Sequence, residues 1–269
     1  MLGAIIGDMV GSIYERQNIK YKPTQLFTQH SQFTDDTVCN IAILDCYKNH
    51  KEFKRLGITK SKEPTRSDII FWLKTWCREY EYVGYGKMFR DWINSESQIG
   101  YKSWGNGGAM RILLISEYLT KKSYKLSSIE KKIKLIINVT HNSPEAVKGA
   151  VCIAELMYFI IAECMDKKQL EEYVKEVYYP LNYTYKGLIK DYKFDVSTEN
   201  SIPQAIWVFL NTKSFEDCLK KAVSIGGDTD TICAISCALA ENYYNHIPLY
   251  IVKECLDRLP DEMLEIIES

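Results

Sequence analysis

Thr34-Asp35-Asp36 and Asp228-Thr229-Asp230-Thr231 stand far apart in the chain, each where a helix would begin. No other feature restricts the fold as much. A single aspartate at a helix N-terminus is ordinary, because it caps free N–H groups and faces the positive end of the dipole. Two threonine-flanked pairs are hard to account for by capping alone. If folding brings four carboxylates together, they repel and raise one another's pKa unless a cation neutralises them. Hard divalent cations take oxygens from carboxylates, hydroxyls and water. The simplest joint reading is one binuclear metal site that the fold assembles from both ends of the chain.

Taken singly, the clusters are less specific. Thr34-Asp35-Asp36 reads equally well as a capped helix. The second cluster follows Gly226-Gly227, and alternate aspartates on a tight turn aim two carboxylates and a hydroxyl at one point. It lacks the glycine at position six and the glutamate at position twelve of an EF-hand, which excludes that loop.

The rest of the chain reads as helix. Gly3, Gly7 and Gly11 recur at i, i+4 and i+8, a smooth stripe for close approach of another helix. Asp8, Ser12 and Glu15 recur on another face of the same segment. Thr34 to Thr37 opens a second helix, and Ser67 reads as the cap of a third that runs to Glu79. Gly84-Tyr85-Gly86 precedes a helix ending near Asn94. The loop Ser103 to Gly108 feeds a helix from about Met110 to Leu119. Ser127 or Ser128 starts the next, stopping near Val139. Ser143-Pro144 marks the start of a long helix to about Met165. Ser214 with Asp217 resembles a capping box, Gly226-Gly227 ends that helix, and Asp228 to Thr231 opens another. The stretch from Asp166 to Asn200 reads as peripheral. No strand alternation, repeat or low-complexity linker appears, and the expected architecture is one all-α domain over residues 1–269.

Composition narrows the function classes. Hydrophobic residues make up 46% and charged residues 26% of 269, a profile that supports a sizeable core. A net charge of −1 gives no case for bulk binding to nucleic acid or an anionic membrane. The nine cysteines include no CxxC pair, and Cys152, Cys233 and Cys237 fall on apolar helical patterns as small hydrophobes. Asp8 and Glu15 interrupt the N-terminal apolar run, which lacks the basic start of a signal peptide. No run approaches transmembrane length. The expectation is a reduced, cytoplasmic protein.

Several residues admit two readings. Gly105 to Gly108 is either a tight turn or a phosphate-approaching loop with a helix dipole behind it; it is not a Walker A loop. Arg111 reads as a buried ion-pair partner. His141 is either structural or in contact with a ligand, and four histidines make a zinc site improbable. Glu15 is either solvated or grouped with Asp8.

Five segments, in order, resemble the ADP-ribosylglycohydrolase family: Gly3-Ala4 through Gly11-Ser12-Ile13-Tyr14-Glu15, Phe33-Thr34-Asp35-Asp36-Thr37, Ser103-Trp104-Gly105-Asn106-Gly107-Gly108-Ala109-Met110-Arg111, Thr140-His141-Asn142-Ser143-Pro144 and Gly226-Gly227-Asp228-Thr229-Asp230-Thr231. The resemblance implies an all-α orthogonal bundle with two Mg²⁺ or Mn²⁺ ions at its centre. It implies that Thr34, Asp35 and Asp36 hold one ion, Asp228 and Thr231 the other, and that Asp230 bridges them. Glu15, with Asp35 and Asp230, would carry the catalysis. Ser103, Gly105, Asn106 and Gly107 would lie along the diphosphate and ribose, with His141 nearby. Trp104 and Gly108 depart from the commonest family residues, which bears on the pocket wall and not on the ligands. The implied activity is metal-dependent cleavage of the glycosidic bond from ADP-ribose to an acceptor: a protein side chain, an O-acetyl group or a nucleic-acid end. The alternative is a non-catalytic ADP-ribose-binding, structural or immunity protein.

Overall fold

The computed structural model describes residues 1–57 and 59–269. α1 (Leu2–Ser12) leads to α2 (Asp35–Lys48), α3 (His50–Arg55), α4 (Arg66–Glu79) and α5 (Lys87–Asn94). Then come α6 (Gly107–Met110), α7 (Leu113–Lys121), α8 (Leu126–Ile137) and α9 (Pro144–Ile161). α10 (Lys167–Val177) and α11 (Tyr185–Asp191) precede a 3₁₀ turn at Thr198–Asn200. α12 (Ile202–Leu210), α13 (Phe215–Ile225), α14 (Thr229–Tyr244), α15 (Leu249–Leu256) and α16 (Asp261–Glu268) complete the fold. The fold is all-α. An isolated antiparallel bridge between Gly105 and Ser197 is the only extended pairing among the described residues.

The pairing of α1 with α14 organises the molecule. Every residue of α14 from Thr229 to Ala240 is buried, as is every residue of α1 from Gly3 to Gly11. Glycine inside a helix costs about 1 kcal/mol against alanine, so α1 is a poor helix on its own. What it gains is contact between backbones. A Cβ on Gly3 would strike the Cys237 carbonyl, and one on Gly7 would strike the Cys233 carbonyl. One on Gly11 would lie 2.5 Å from the Thr229 carbonyl oxygen. The two helices therefore run antiparallel in direct apposition. Glu241 fastens the far end by accepting from the Leu2 N–H at 3.1 Å and the Gly3 N–H at 2.7 Å.

Cys152, Cys233 and Cys237 are unpaired and buried, filling the core as small apolar groups. Among the described residues no helix is long and apolar enough to cross a membrane.

Element boundaries differ from the sequence reading for local reasons. The helix expected to cap at Ser67 caps at Thr65, whose side chain exchanges bonds with Asp68. Ser214 accepts from the Asp217 N–H at 3.1 Å, but the Asp217 carboxylate turns to the Lys213 N–H, so only half of that box forms. The helix expected from Met110 is broken at Arg111–Ile112 into the single turn α6 and α7. The next begins at Leu126, before either serine, and the long one from Ser143 ends at Ile161. α12 is buried throughout and apolar except for Gln204, so it offers no period to read.

Candidate active site

The α1–α14 pairing sets the end of α1 beside the start of α14. α1 stops at Ser12, and Glu15 lies in the turn beyond it, its N–H donating to the Gly11 carbonyl at 3.2 Å. Glu15 thus leaves the helical face it was expected to share with Asp8 and Ser12. It meets Asp228 and Asp230 instead: the three carboxylates offer oxygens within 4.8 Å of one another.

The turn that delivers Asp228 requires both of its glycines. Gly226 and Gly227 have φ of 68° and 86°, in the left-handed region. A Cβ on Gly226 would meet the Asn18 side chain and Lys20 Nζ, and one on Gly227 would meet the Tyr192 ring. The Asn18 Oδ1 accepts from the Gly227 N–H at 3.1 Å, and Lys20 Nζ donates to the Ile225 and Tyr192 carbonyls at 2.5 and 2.7 Å. The loop that carries Glu15 therefore also clamps the turn that carries Asp228.

Asp8 performs the matching service for the first cluster, a role the sequence reading did not assign. Its buried carboxylate accepts from the Thr34 N–H and hydroxyl at 2.8 and 2.6 Å, and from the Thr37 N–H and hydroxyl at 3.1 and 2.5 Å. These four bonds pin the N-terminus of α2 to α1. The Gly7-Asp8 pair was visible in the sequence, but its hub role depends on a tertiary contact. Asp36 Oδ1 accepts from the Thr231 hydroxyl at 3.3 Å, joining the two clusters, while its buried Oδ2 has no partner in the chain. Asp35 is half-buried, its N–H donating to the Val83 carbonyl at 3.1 Å.

All these groups open on one cleft of about 1230 Å³. Every site residue expected from the sequence lines it: Glu15, Thr34, Asp35, Asp36, Ser103, Gly105, Asn106, Gly107, His141, Asp228, Asp230 and Thr231. Asp8 lies beneath it.

The electrostatics fit a cation. Burial, then the Asp230 charge, pushes the Asp8 carboxyl up to about 7 against its four donors. Burial and mutual repulsion hold Asp35, Asp36 and Asp228 well above the ordinary carboxylate range. Burial raises Asp230, and burial with the Asp230 charge raises Glu15. The donor set is all oxygen, one buried carboxylate oxygen is orphaned, and the carboxylates repel. Hard divalent cations suit such a set; zinc, which favours nitrogen and sulfur, does not. A folded-state pKa above the unfolded value gives stability that is present at low pH and lost as pH rises. In chelator, the melting temperature is therefore expected to fall between pH 3.8 and about 7, the ordinary and raised values for Asp8. Added Mg²⁺ or Mn²⁺ should flatten or reverse that slope, because cations bind the deprotonated groups. Thermal melts across pH would check this, and stability rising with pH in chelator would refute it.

The opposite wall is the loop Ser103 to Gly107. Its expected supply of free backbone N–H groups is reduced, since Gly105 donates to Ser103 Oγ at 3.1 Å and Asn106 to the Val196 carbonyl at 2.9 Å. The helix dipole expected behind it comes from the one turn of α6. The Asn106 amide is turned inward, donating to Ser201 Oγ at 3.0 Å and Asp228 Oδ2 at 2.5 Å, so it links this wall to the acidic floor. Phe194 and Val196, from the stretch read as peripheral, also line the cleft.

Arg111 is not the ion-pair partner expected from the sequence. No carboxylate lies within 4.0 Å of its guanidinium among the described residues. Its Nε donates to the Gly107 carbonyl at 2.6 Å, Nη1 donates to the Thr140 hydroxyl at 3.0 Å, and the group lies 4.8 Å from the Phe89 ring centroid. A buried cation without a counter-charge, on the cleft lining, suits an anionic ligand. His141 is buried beside it, its Nδ1 2.8 Å from the Thr140 hydroxyl.

Comparison with known proteins bears on what such a cleft serves. A family model described as ADP-ribosylglycohydrolase matches residues 1–269. The chain is 31% identical over 147 residues to an uncharacterised protein of Archaeoglobus fulgidus, covering 49% of this chain and 47% of that one, about half its length. It is 22% identical to human ADP-ribosylhydrolase ARH3, over 91% of this chain and 84% of that protein. A solved structure titled ADP-ribosylglycohydrolase-related protein complex shares the fold, with a TM-score of 0.65 and 19% identity over 99% of this chain and 93% of that one.

Proposed function

The chain belongs to the ADP-ribosylglycohydrolase family, and from that premise we propose that it is a metal-dependent hydrolase releasing ADP-ribose from an acceptor. One observation carries the reading: carboxylates from both ends of the chain converge on the floor of a cleft of about 1230 Å³. That exceeds the roughly 300–1,000 Å³ of ordinary small-molecule sites and leaves room for a ligand of dinucleotide size.

Thr34, Asp35, Asp36, Asp228, Asp230 and Thr231 would hold two divalent cations, Mg²⁺ or Mn²⁺. When bound, these ions supply Lewis acidity and neutralise the carboxylate charge. The remaining chemistry falls to side chains. Glu15 is half-buried, and burial with the Asp230 charge keeps its carboxyl protonated to higher pH than usual. It is suited to give a proton to the leaving group or take one from the attacking water. Arg111 and His141 would face the diphosphate and ribose from the opposite wall, with Ser103, Gly105 and Gly107 shaping the approach. Asn106 would hold Asp228 in place through its amide.

The test is release of free ADP-ribose from serine-, arginine- and O-acetyl-linked substrates and from modified nucleic-acid ends, with Mg²⁺, with Mn²⁺ and with chelator. Glu15→Gln is expected to lower kcat by about 10²–10⁴, the usual contribution of one acid–base group. Wild-type turnover in that variant would remove Glu15 from the chemistry. ADP-ribose binding without release from any substrate would favour a binding protein on the same fold.

A further inference from the structure

Thr140 is fully buried, and its hydroxyl has one proton to place and two lone pairs to fill. Arg111 Nη1 donates to that oxygen at 3.0 Å, as a guanidinium does at every accessible pH. The other partner is His141 Nδ1, at 2.8 Å. Among the described residues the Thr140 hydroxyl makes no other hydrogen bond of 3.5 Å or less with acceptable angles, and the Tyr101 hydroxyl is its one further oxygen neighbour, in the poorer geometry. A buried donor left unmade is costly, so the proton goes to Nδ1, and Nδ1 carries none of its own. We infer that Arg111 and Thr140 are positioning residues that hold His141 as the neutral Nε2–H tautomer, with that N–H offered to an oxygen of the ligand over the Ser103–Gly107 loop.

The geometry beyond the ring supports this. A Cβ on Gly107 would lie 2.8 Å from Nε2, and one on Gly105 would lie 3.9 Å from it, so Nε2 points at the glycine loop. No protein acceptor for Nε2 occurs among the described residues, and His141 lines the cleft. Tyr101 meets the imidazole edge-on, ring centroids 6.1 Å apart, and no carboxylate lies within 4.0 Å of the ring among the described residues. All bonds in the relay run one way, from guanidinium to hydroxyl to imidazole, and each polarises the next. Reversing the last bond would leave the Thr140 proton only the poorly placed Tyr101 oxygen. Burial and the Arg111 charge also lower the basicity of the ring, which disfavours the imidazolium. His141 is then a permanent donor, poor at releasing its proton, and its role is to bind rather than to act as an acid.

The tautomer stands on the hydrogen bonds alone; the identity of the ligand as ADP-ribose rests on the function proposed above. The experiment separates the two. Nitrogen NMR of histidine-labelled protein reads tautomer directly, and His141→Asn identifies the signal among the four histidines. The expected wild-type pattern is bare Nδ1 and protonated Nε2, persisting below the ordinary histidine value of 6.5. Thr140→Val should lose that pattern and weaken ADP-ribose binding by calorimetry about tenfold, the scale of a bond to a charged group. Thr140→Ser should restore both. In turnover the Thr140→Val loss should fall on KM, with kcat little changed. An Nδ1–H tautomer or an imidazolium in the wild-type protein at neutral pH would overturn the inference, as would an unchanged pattern in Thr140→Val. The expected tautomer without ADP-ribose binding would leave the relay standing and remove the functional reading.

Discussion

Asp230→Asn is expected to lower ADP-ribose release by about 100- to 1000-fold, the scale of losing one preorganised electrostatic group from an active site. The same substitution should make the metal-free protein more stable. The Asp230 charge is a source of repulsion for Asp8, Glu15, Asp35, Asp36 and Asp228 alike. An asparagine keeps the shape, and its Oδ1 can still accept from the Thr231 N–H, a bond now 2.9 Å long. It removes the charge that most of the cluster works against. In chelator, each kcal/mol of relieved repulsion should raise the melting temperature by roughly 2–4 °C. In Mn²⁺ the gain seen for the wild type should shrink, because a shared ligand is missing. Paired melts with and without metal, beside the release assay, check both halves. A lower metal-free melting temperature, or undiminished turnover, would show that Asp230 is not the centre of the cluster.

The second large effect concerns packing. Gly7→Ala adds one methyl group where α1 lies against the Cys233 carbonyl, with backbone rather than a yielding side chain in the way. Helix propensity would favour alanine by about 1 kcal/mol. Overpacking against a backbone outweighs it, and a net loss of about 3 kcal/mol is expected, at the upper end of the usual range. At roughly 2–4 °C per kcal/mol the melting temperature should fall by about 6–12 °C. Separating α1 from α14 also separates Glu15 from Asp230, so activity should drop further than stability alone accounts for. Melting curves and release rates measured below the transition would separate the two losses. A neutral or stabilising Gly7→Ala would mean that the glycine stripe is not what sets the helix spacing.

Much of this was legible in the residues, and the exceptions share a cause. The glycine stripe announced a close helix neighbour but could not name α14. The aspartate clusters announced a charged site, and the turn glycines showed where its second half begins. What escaped was whatever depends on the far side of a contact. Asp8 looked like a companion of Glu15 on one helix face; it turned out to hold Thr34 and Thr37, and Glu15 lay beyond the helix end. Arg111 in an apolar run suggested a buried ion pair, because a sequence lists charges and not the hydroxyls and carbonyls that also satisfy a guanidinium. Asn106 gave no sign that its amide would be taken up by Asp228 on the cleft floor.

The apposition of α1 and α14 also means that everything between these two helices is one long loop closed by their contact. A cation held between Asp36 and Asp230 would act as a reversible cross-link across that loop. Long-loop clips restrict the unfolded chain most, with a benefit that grows only slowly with loop length. During synthesis the first helix can meet the start of α2 early, but α14, against which its glycines pack, is made only much later. Contacts so distant along the chain are slow to form. Metal supply during refolding would then govern how fast the two ends find each other, as well as whether the finished cleft is active.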